Sequence, residues 1–259
     1  MNGIGSDRMR LEHSSWLQVQ RYFTHHDLVV LPIGSTENHG SHMALGTDLL
    51  VPDYIAGELD KQLEILITPV MPFGAADHHS SFPGTLSIGV DGLYLVLSKI
   101  CEDLWRYGAR RFVFLNGHGG NNPALSKVGL ELNQKGGISA QLNWWTVAGE
   151  LNPAWKGGHA AGEETAAMMA IYPQDVHMED LMEFTPESPV PELQFVHGST
   201  LSFEGIAIPV PRTTERFSQA GWYGNDHPST ANAQWGEEML KATTDYFARF
   251  ITAFEKMPL

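Results

Sequence analysis

The hydrophobic positions of this chain alternate between two patterns. Short continuous apolar runs bounded by turn residues read as buried strands, and longer segments with apolar residues three or four apart read as helices. Residues 28–34 (Leu-Val-Val-Leu-Pro-Ile-Gly) are the first such strand. A helix follows over 49–63, with Ile55, Leu59 and Leu63 four apart and Pro52 suited to a first turn. Residues 64–70 read as a second strand, stopped by Pro69 and Pro72, and 73–87 as loop, broken by Gly74, Pro83 and Gly84. Asp91 is placed to cap a helix whose face is Leu93, Leu97, Ile100 and Leu104, closing at Gly108. Residues 111–115 are a third strand and 116–121 a glycine-rich turn. Asn122 then caps a helix with Pro123 at its first position, the face Leu125, Val128 and Leu132, and an end near Gly136. A fourth strand over 138–144 and a helix over 163–172, stopped by Pro173, complete the regular part. Residues 174–232 are weakly periodic and rich in Pro, Gly and Ser, which reads as elaboration around a site or a subunit contact. Residues 234–254 are a terminal amphipathic helix.

Strands alternating with helices of this length predict βαβ units, right-handed crossovers and an α/β fold with a mainly parallel sheet covered on both faces. In such sheets, sites form outside the carboxyl ends of strands. The polar loops 34–48 and 116–121 both fall there.

Composition narrows the partners. The 259 residues, 42% hydrophobic, suffice for one sizeable domain spanning 1–259. A net charge of −14, from 16 basic and 30 acidic residues, makes nucleic acid an unsuitable partner and divalent cations a suitable one. The single cysteine, Cys101, excludes an internal disulfide and reads as a packed thiol in a reducing compartment. The first residues, Met-Asn-Gly-Ile-Gly-Ser-Asp-Arg, lack an apolar signal core, and no stretch reaches membrane-spanning length, so a cytoplasmic location without membrane contact is expected.

Four clusters carry candidate chemistry. The first is Glu37, His39, His42 and Asp48, directly after a buried strand. Glu37 and His39 are two apart, so on extended backbone they share a side and can reach one cation or two adjacent ones. Oxygen and imidazole donors without a thiolate favour Zn²⁺, Mn²⁺ or Fe²⁺ in a hydrolytic site over a structural zinc. The second cluster is Asn116-Gly-His118-Gly-Gly-Asn121. Its glycines fit neither G-x-G-x-x-G nor a P-loop, so the turn reads as one that lets backbone crowd a site while His118 enters it. The third is Trp155-Lys-Gly-Gly-His159-Ala-Ala-Gly-Glu163-Glu164-Thr165. Glu164, Met168 and Ile171 or Tyr172 lie on one helical stripe, and a carboxylate on an apolar stripe needs a partner such as a cation. Glu163 falls on the flank, where the helix dipole and solvent account for it. The fourth is His78-His79, which reads either as pocket lining or as two solvated loop histidines.

Together these segments resemble the creatininase (creatinine amidohydrolase) family. The resemblance rests on Leu31-Pro-Ile-Gly-Ser-Thr-Glu-Asn-His-Gly, Asp48, His79-Ser-Ser-Phe-Pro-Gly-Thr85, Asn116-Gly-His-Gly-Gly-Asn121 and His159-Ala-Ala-Gly-Glu-Glu-Thr165, in the family's order, with a looser echo at Gly236-Glu237. It implies a three-layer α/β/α sandwich and a centre of two divalent ions per chain, Zn²⁺ and/or Mn²⁺. It also implies hydrolysis of a C–N amide bond in a small or cyclic amide by a hydroxide between the ions, and a homo-oligomer, commonly a hexamer built as a trimer of dimers. Glu37, His39, Asp48 and His118 match metal ligands of the family, with Asp48 at the position shared by both ions. His159 matches its proton-transfer histidine and Trp155 a tryptophan covering the substrate; Gly119, His78 and His79 are expected to line that pocket. The chain departs from creatininase where a tyrosine and a ligating glutamate are replaced by Gly119 and Gly120, and where an acidic residue is replaced by Lys156. Glu164 is the expected replacement ligand and, with His159, an expected catalytic side chain. A second reaction of the family, deformylation of a formamidopyrimidine nucleotide, would need basic anchors, for which Lys156, Arg212 and Arg216 are available. A metal-binding homologue without catalysis is the third reading.

Overall fold

The computed structural model describes residues 9–186 and 188–259. Residues 1–8, on which the reading of an absent signal core rests, lie outside them. Strands β1 (Met9–Arg10), β2 (Leu28–Ile33), β3 (Leu66–Ile67), β4 (Arg111–Asn116) and β5 (Ile138–Asn143) form one sheet in the order β1-β3-β2-β4-β5, every pair parallel. The helices are α1 (Trp16–Tyr22), α2 (Thr47–Asp60), α3 (Gly89–Tyr107), α4 (Asn122–Gln134), α5 (Trp144–Leu151), α6 (Gly162–Ile171) and α7 (Ala233–Phe254).

Every residue of β2 is buried, as a parallel strand covered on both faces requires. Its side chains alternate between two cores. Leu28 and Val30 pack with α2, α5, α6 and α7 through Ile55, Ala148, Met168 and Phe247. Val29, Leu31 and Ile33 pack with α3 and α4 through Leu97, Leu104, Leu125 and Val128. Two helical layers around one parallel sheet make the three-layer α/β/α sandwich.

The strands are shorter or longer than their apolar runs by intelligible amounts. The run 64–70 yields only two paired strand residues, because Pro69 interrupts the ladder; it resumes as a single bridge between Ile33 and Met71. The helix expected to be capped by Asp91 starts earlier, at Gly89, and Asp91 sits in its first turn. Asn122 is the first residue of α4 and not its cap, because its side-chain oxygen accepts from Asn116 Nδ2 at 3.1 Å. The segment 174–232 contains a sheet that its weak periodicity does not show: β6 (Leu193–His197), β7 (Thr200–Phe203) and β8 (Ile206–Pro209), antiparallel in that order. Among the described residues no helix is long and apolar enough to cross a membrane.

Strand order runs outward in both directions from the pair β2 and β4, with α2 on one face and α4 on the other. The gap beyond the carboxyl ends of these two strands is therefore the switch point at which sheets of this kind bind ligands.

Candidate metal centre

Glu37 and His39 lie just past β2, His118 just past β4, Asp48 in the first turn of α2 and Glu164 in the first turn of α6. The sheet thus delivers three of these side chains from strand ends, and two helix N-termini deliver the others, where the helix dipole favours a carboxylate. All five are buried. Besides a group made by Glu37 and His39 with His159, they form two groups of three: Glu37, Asp48 and His118, and His39, Asp48 and Glu164, with the ligand atoms of each group within 4.8 Å of one another. Asp48 belongs to both. Its Oδ1 is 3.0 Å from His39 Nε2, and its Oδ2 is 3.0 Å from His118 Nδ1. His39 Nε2 is also 3.6 Å from Glu164 Oε2, and His118 Nδ1 is 3.0 Å from Glu37 Oε1.

The two imidazoles are held from behind. His39 Nδ1 faces the carbonyl oxygen of Glu37 at 3.2 Å, and His118 Nε2 faces that of Ala75 at 3.1 Å. A carbonyl only accepts, so these nitrogens carry the hydrogens. The opposite nitrogens are left for the carboxylate-lined space, the arrangement by which metal-ligating histidines are oriented. Apart from His118 Nδ1, which lies 3.0 Å from Glu37 Oε1 and from Asp48 Oδ2, these two oxygens and Glu37 Oε2 are buried with no hydrogen-bond partner among the described residues. Buried anionic oxygens without partners are costly, and a cation in each group would satisfy them. The donor set fits divalent ions of the zinc and manganese type.

Without cations these groups neutralise one another. Burial opposes charge on His39, but Asp48, Glu164 and Glu37 outweigh it and push its pKa up to about 10. Burial likewise opposes charge on His118, and Glu37 and Asp48 hold it well above the ordinary value. Burial would raise Asp48, yet His39 and His118 hold it well below the usual carboxylate range. Glu164 is pushed up to about 8, by burial and then by Asp48 and Glu37, against the pull of His39.

Two local devices position the groups. A side chain at Gly117 would put a carbon 1.9 Å from the Asp48 carbonyl oxygen, so only glycine lets the β4 turn and α2 approach this closely. Ala160, with φ of +50°, is held in the left-handed region, which turns its N–H onto Glu164 Oε2 at 2.6 Å. Such a residue costs about 1–3 kcal/mol, and strain of this kind clusters at sites. The same turn presents His159, whose ring stacks on His79 with centroids 4.1 Å apart. Burial, then His79 and His39, push the His159 pKa well down.

A cavity of about 330 Å³ opens beside the two groups. Gly119, His78 and His79 line it. His79 is buried: Nδ1 is 3.0 Å from Thr214 Oγ1 and Nε2 is 3.4 Å from Glu37 Oε1, so of its two readings that of a solvated loop residue does not hold. His42 stands apart from the two groups, with its Nε2 3.0 Å from Thr165 Oγ1.

One side chain lies away from the cavity, and one expectation is corrected. Trp155 does not line the cavity. It ends a short turn, Pro153–Trp155, and packs partly buried against the core, while Trp145 from α5 occupies the wall instead. Glu163 is not solvated on a flank; it is 2% exposed and lines the cavity, with Oε2 accepting from Gly157 N at 2.9 Å. Residues Gly162 to Met168 of α6 are all buried, so this helix has no solvent flank there. Sequence reasoning also missed Trp145, His197 and Tyr223. The last two come from 174–232, the segment read as elaboration, and only the Gly-Trp-Tyr-Gly run at 221–224 hinted at a packed turn.

A parallel α/β/α sandwich with paired carboxylate and imidazole groups at its switch point matches one family throughout: the chain belongs to the creatininase family, whose creatinine amidohydrolase model covers residues 12–251. Among relatives, the mycofactocin precursor peptide peptidase of Mycolicibacterium smegmatis is 30% identical over 259 residues, covering 96% of this chain and 92% of that protein. Two solved creatininase structures share the fold at 23% identity. A mutant of Zn-Zn type superposes with a TM-score of 0.75 over 96% of this chain and 98% of that one. A manganese form reaches 0.76 over 97% and 100%.

Proposed function

We propose that this amidohydrolase-family chain hydrolyses a C–N amide bond at a centre of two divalent ions. The observation that carries the reading is Asp48, whose two oxygens each face a different ligand group. Glu37, His118 and Asp48 would hold one ion, and His39, Glu164 and Asp48 the other. Zinc or manganese held there would polarise an amide carbonyl and lower the pKa of water.

The chain's own contribution is positional and protonic. The Ala75 and Glu37 carbonyls fix the ring orientations of His118 and His39. His159 is partly buried beside Glu37 and His39, and its Nε2 has no hydrogen-bond partner among the described residues, so it is the side chain placed to relay a proton to the departing nitrogen. Gly119 leaves open space beside the ligands, and His78, His79, Trp145 and Tyr223 wall it. The relative named for peptide cleavage extends the candidate amides from small and cyclic ones to peptides.

The nucleotide deformylase reading loses its anchors. Lys156, Arg212 and Arg216 do not line the cavity, and Arg212 is turned onto the Gly198 carbonyl and the Phe217 ring. Self-association as a homo-oligomer remains part of the proposal. The apolar side chains of β8, Ile206 and Ile208, are 68% and 45% exposed, and surface of this kind commonly marks an interface; sedimentation of a single monomeric species would remove that part.

Metal analysis is the direct test. The purified, reconstituted protein should hold close to two divalent ions per chain, and His118→Ala should lose metal and amide turnover together. Full turnover by a chelator-stripped Asp48→Ala protein would sink the reading.

A further inference from the structure

Glu163 is a buried carboxyl that the proposed reaction leaves unused. It lines the cavity, and of its two oxygens only Oε2 is engaged, by Gly157 N; Oε1 is buried with no hydrogen-bond partner among the described residues. It is not one of the convergent ligand groups. Behind it stands a second carboxyl: Asp226 Oδ2 accepts from Glu163 N at 2.8 Å, and Asp226 Oδ1 is also without a partner. Gly157 keeps this wall open, since a Cβ there would lie 2.4 Å from Glu163 Oε2.

The rest of the cavity has a matching character. Among the described residues no lysine or arginine lines it. Two divalent ions would more than balance Glu37, Asp48 and Glu164, whereas Glu163 and Asp226 would keep no cation of their own. Trp145 and Tyr223 add aromatic rings to the lining of the same cavity, and such rings attract cations. A buried carboxyl with a free oxygen, a second carboxyl behind it and aromatic neighbours together describe a recognition pocket for a positively charged nitrogen.

We propose that the Glu163 carboxyl receives a substrate ammonium group, so that the chain acts on amides bearing a protonated amine close to the scissile bond. This rests on the amidohydrolase reading, and Glu163 specifies which amides that site accepts. A phosphorylated or carboxylated substrate would meet acidic and aromatic groups here with no cationic side chain to receive it.

The test uses zinc- or manganese-reconstituted protein and three probes of similar size: L-alaninamide, N-acetyl-L-alaninamide and succinamate. Binding is read by calorimetry and turnover by ammonia release. The amine probe should bind at least about tenfold more tightly than the acetylated one, the scale of one charge-assisted hydrogen bond, and succinamate more weakly still. In Glu163→Gln that ratio should fall towards one while metal content stays at two ions per chain. Equal binding of the amine and acetylated probes by the unaltered protein overturns the inference. So does an amine preference that survives Glu163→Gln, since the ions would then be reading the amine. Binding that discriminates without turnover of any amide would instead overturn the reaction and leave the recognition standing.

Discussion

The pair Gly119 and Gly120 offers the sharpest test of how His118 is held. A Cβ at Gly120 would sit 2.2 Å from the Ala75 carbonyl oxygen and 2.4 Å from His118 Nε2, whereas one at Gly119 meets only Trp145 Cζ2 at 3.8 Å. Carbon contacts settle at roughly 3.5–4.0 Å, so Gly120→Ala must push the carbonyl and the ring apart by more than ~1 Å. That displacement breaks the His118 Nε2–H···O=C bond, now 3.1 Å long. Overpacking costs about 1–3 kcal/mol, and leaving a buried partner unsatisfied costs about 1–3 kcal/mol more. We expect Gly120→Ala to lose about 2–6 kcal/mol of stability on this sum. Loss of a ligand's outer partner typically lowers metal affinity by about 10–100-fold. Gly119→Ala should be within about 1 kcal/mol of the unaltered protein and can be slightly stabilising, because alanine restricts the unfolded chain. Urea unfolding of the metal-free forms measures the first difference, and competition with a chromophoric chelator measures the second. If the two variants lose equal metal affinity, the carbonyl does not orient His118 and the argument fails.

Other outcomes follow from the same site. Glu164→Gln should remove an ion from the group it shares with His39 and Asp48, lowering metal content towards one per chain by elemental analysis; an unchanged content of two would exclude Glu164 as a ligand. In the metal-free protein His39 titrates near 10 and Glu164 near 8. Both hold protons at neutral pH that a cation must displace, so metal affinity should rise with pH and loading should release protons. Calorimetry in buffers of different ionisation enthalpy will show this, and binding with no proton release would contradict it. Cys101 is buried, and burial pushes its thiol up to about 12. It should resist iodoacetamide at pH 8 until the chain is unfolded; rapid labelling of the native protein would show that this helix face opens.

The order of strands and helices was legible because their apolar runs are either continuous or spaced for one face, as in 28–34 and in Leu93, Leu97 and Leu104. The ligands that follow strand ends, Glu37, His39 and His118, were legible for the same reason: once a strand is placed, the loop after its carboxyl end is placed too. Glu163 was not, because stripe reasoning assumes a helix with a wet side, and the first two turns of α6 are enclosed by α2, α7 and the cavity wall. Trp145 was hidden because α5 begins directly after β5 with no intervening turn, so its first residue read as strand. His197 and Tyr223 reach the site from an irregular segment, and nothing local in such a segment states where it packs. Trp155, which its position in a motif placed at the cavity, follows the turn after Asn152 and packs partly buried against the core.

The candidate ligands are scattered along the chain, from Glu37 to Glu164, and each is fixed only by packing between distant elements. No fragment holding only β2 and α2 would contain either group of three. A cation therefore cannot template early folding here; it can only recognise a chain that is already assembled. Binding would then act as a late lock, slowing the opening of the native state more than it speeds its formation. Metal-loaded protein should survive proteolysis and heat far longer than metal-free protein while refolding at nearly the same rate.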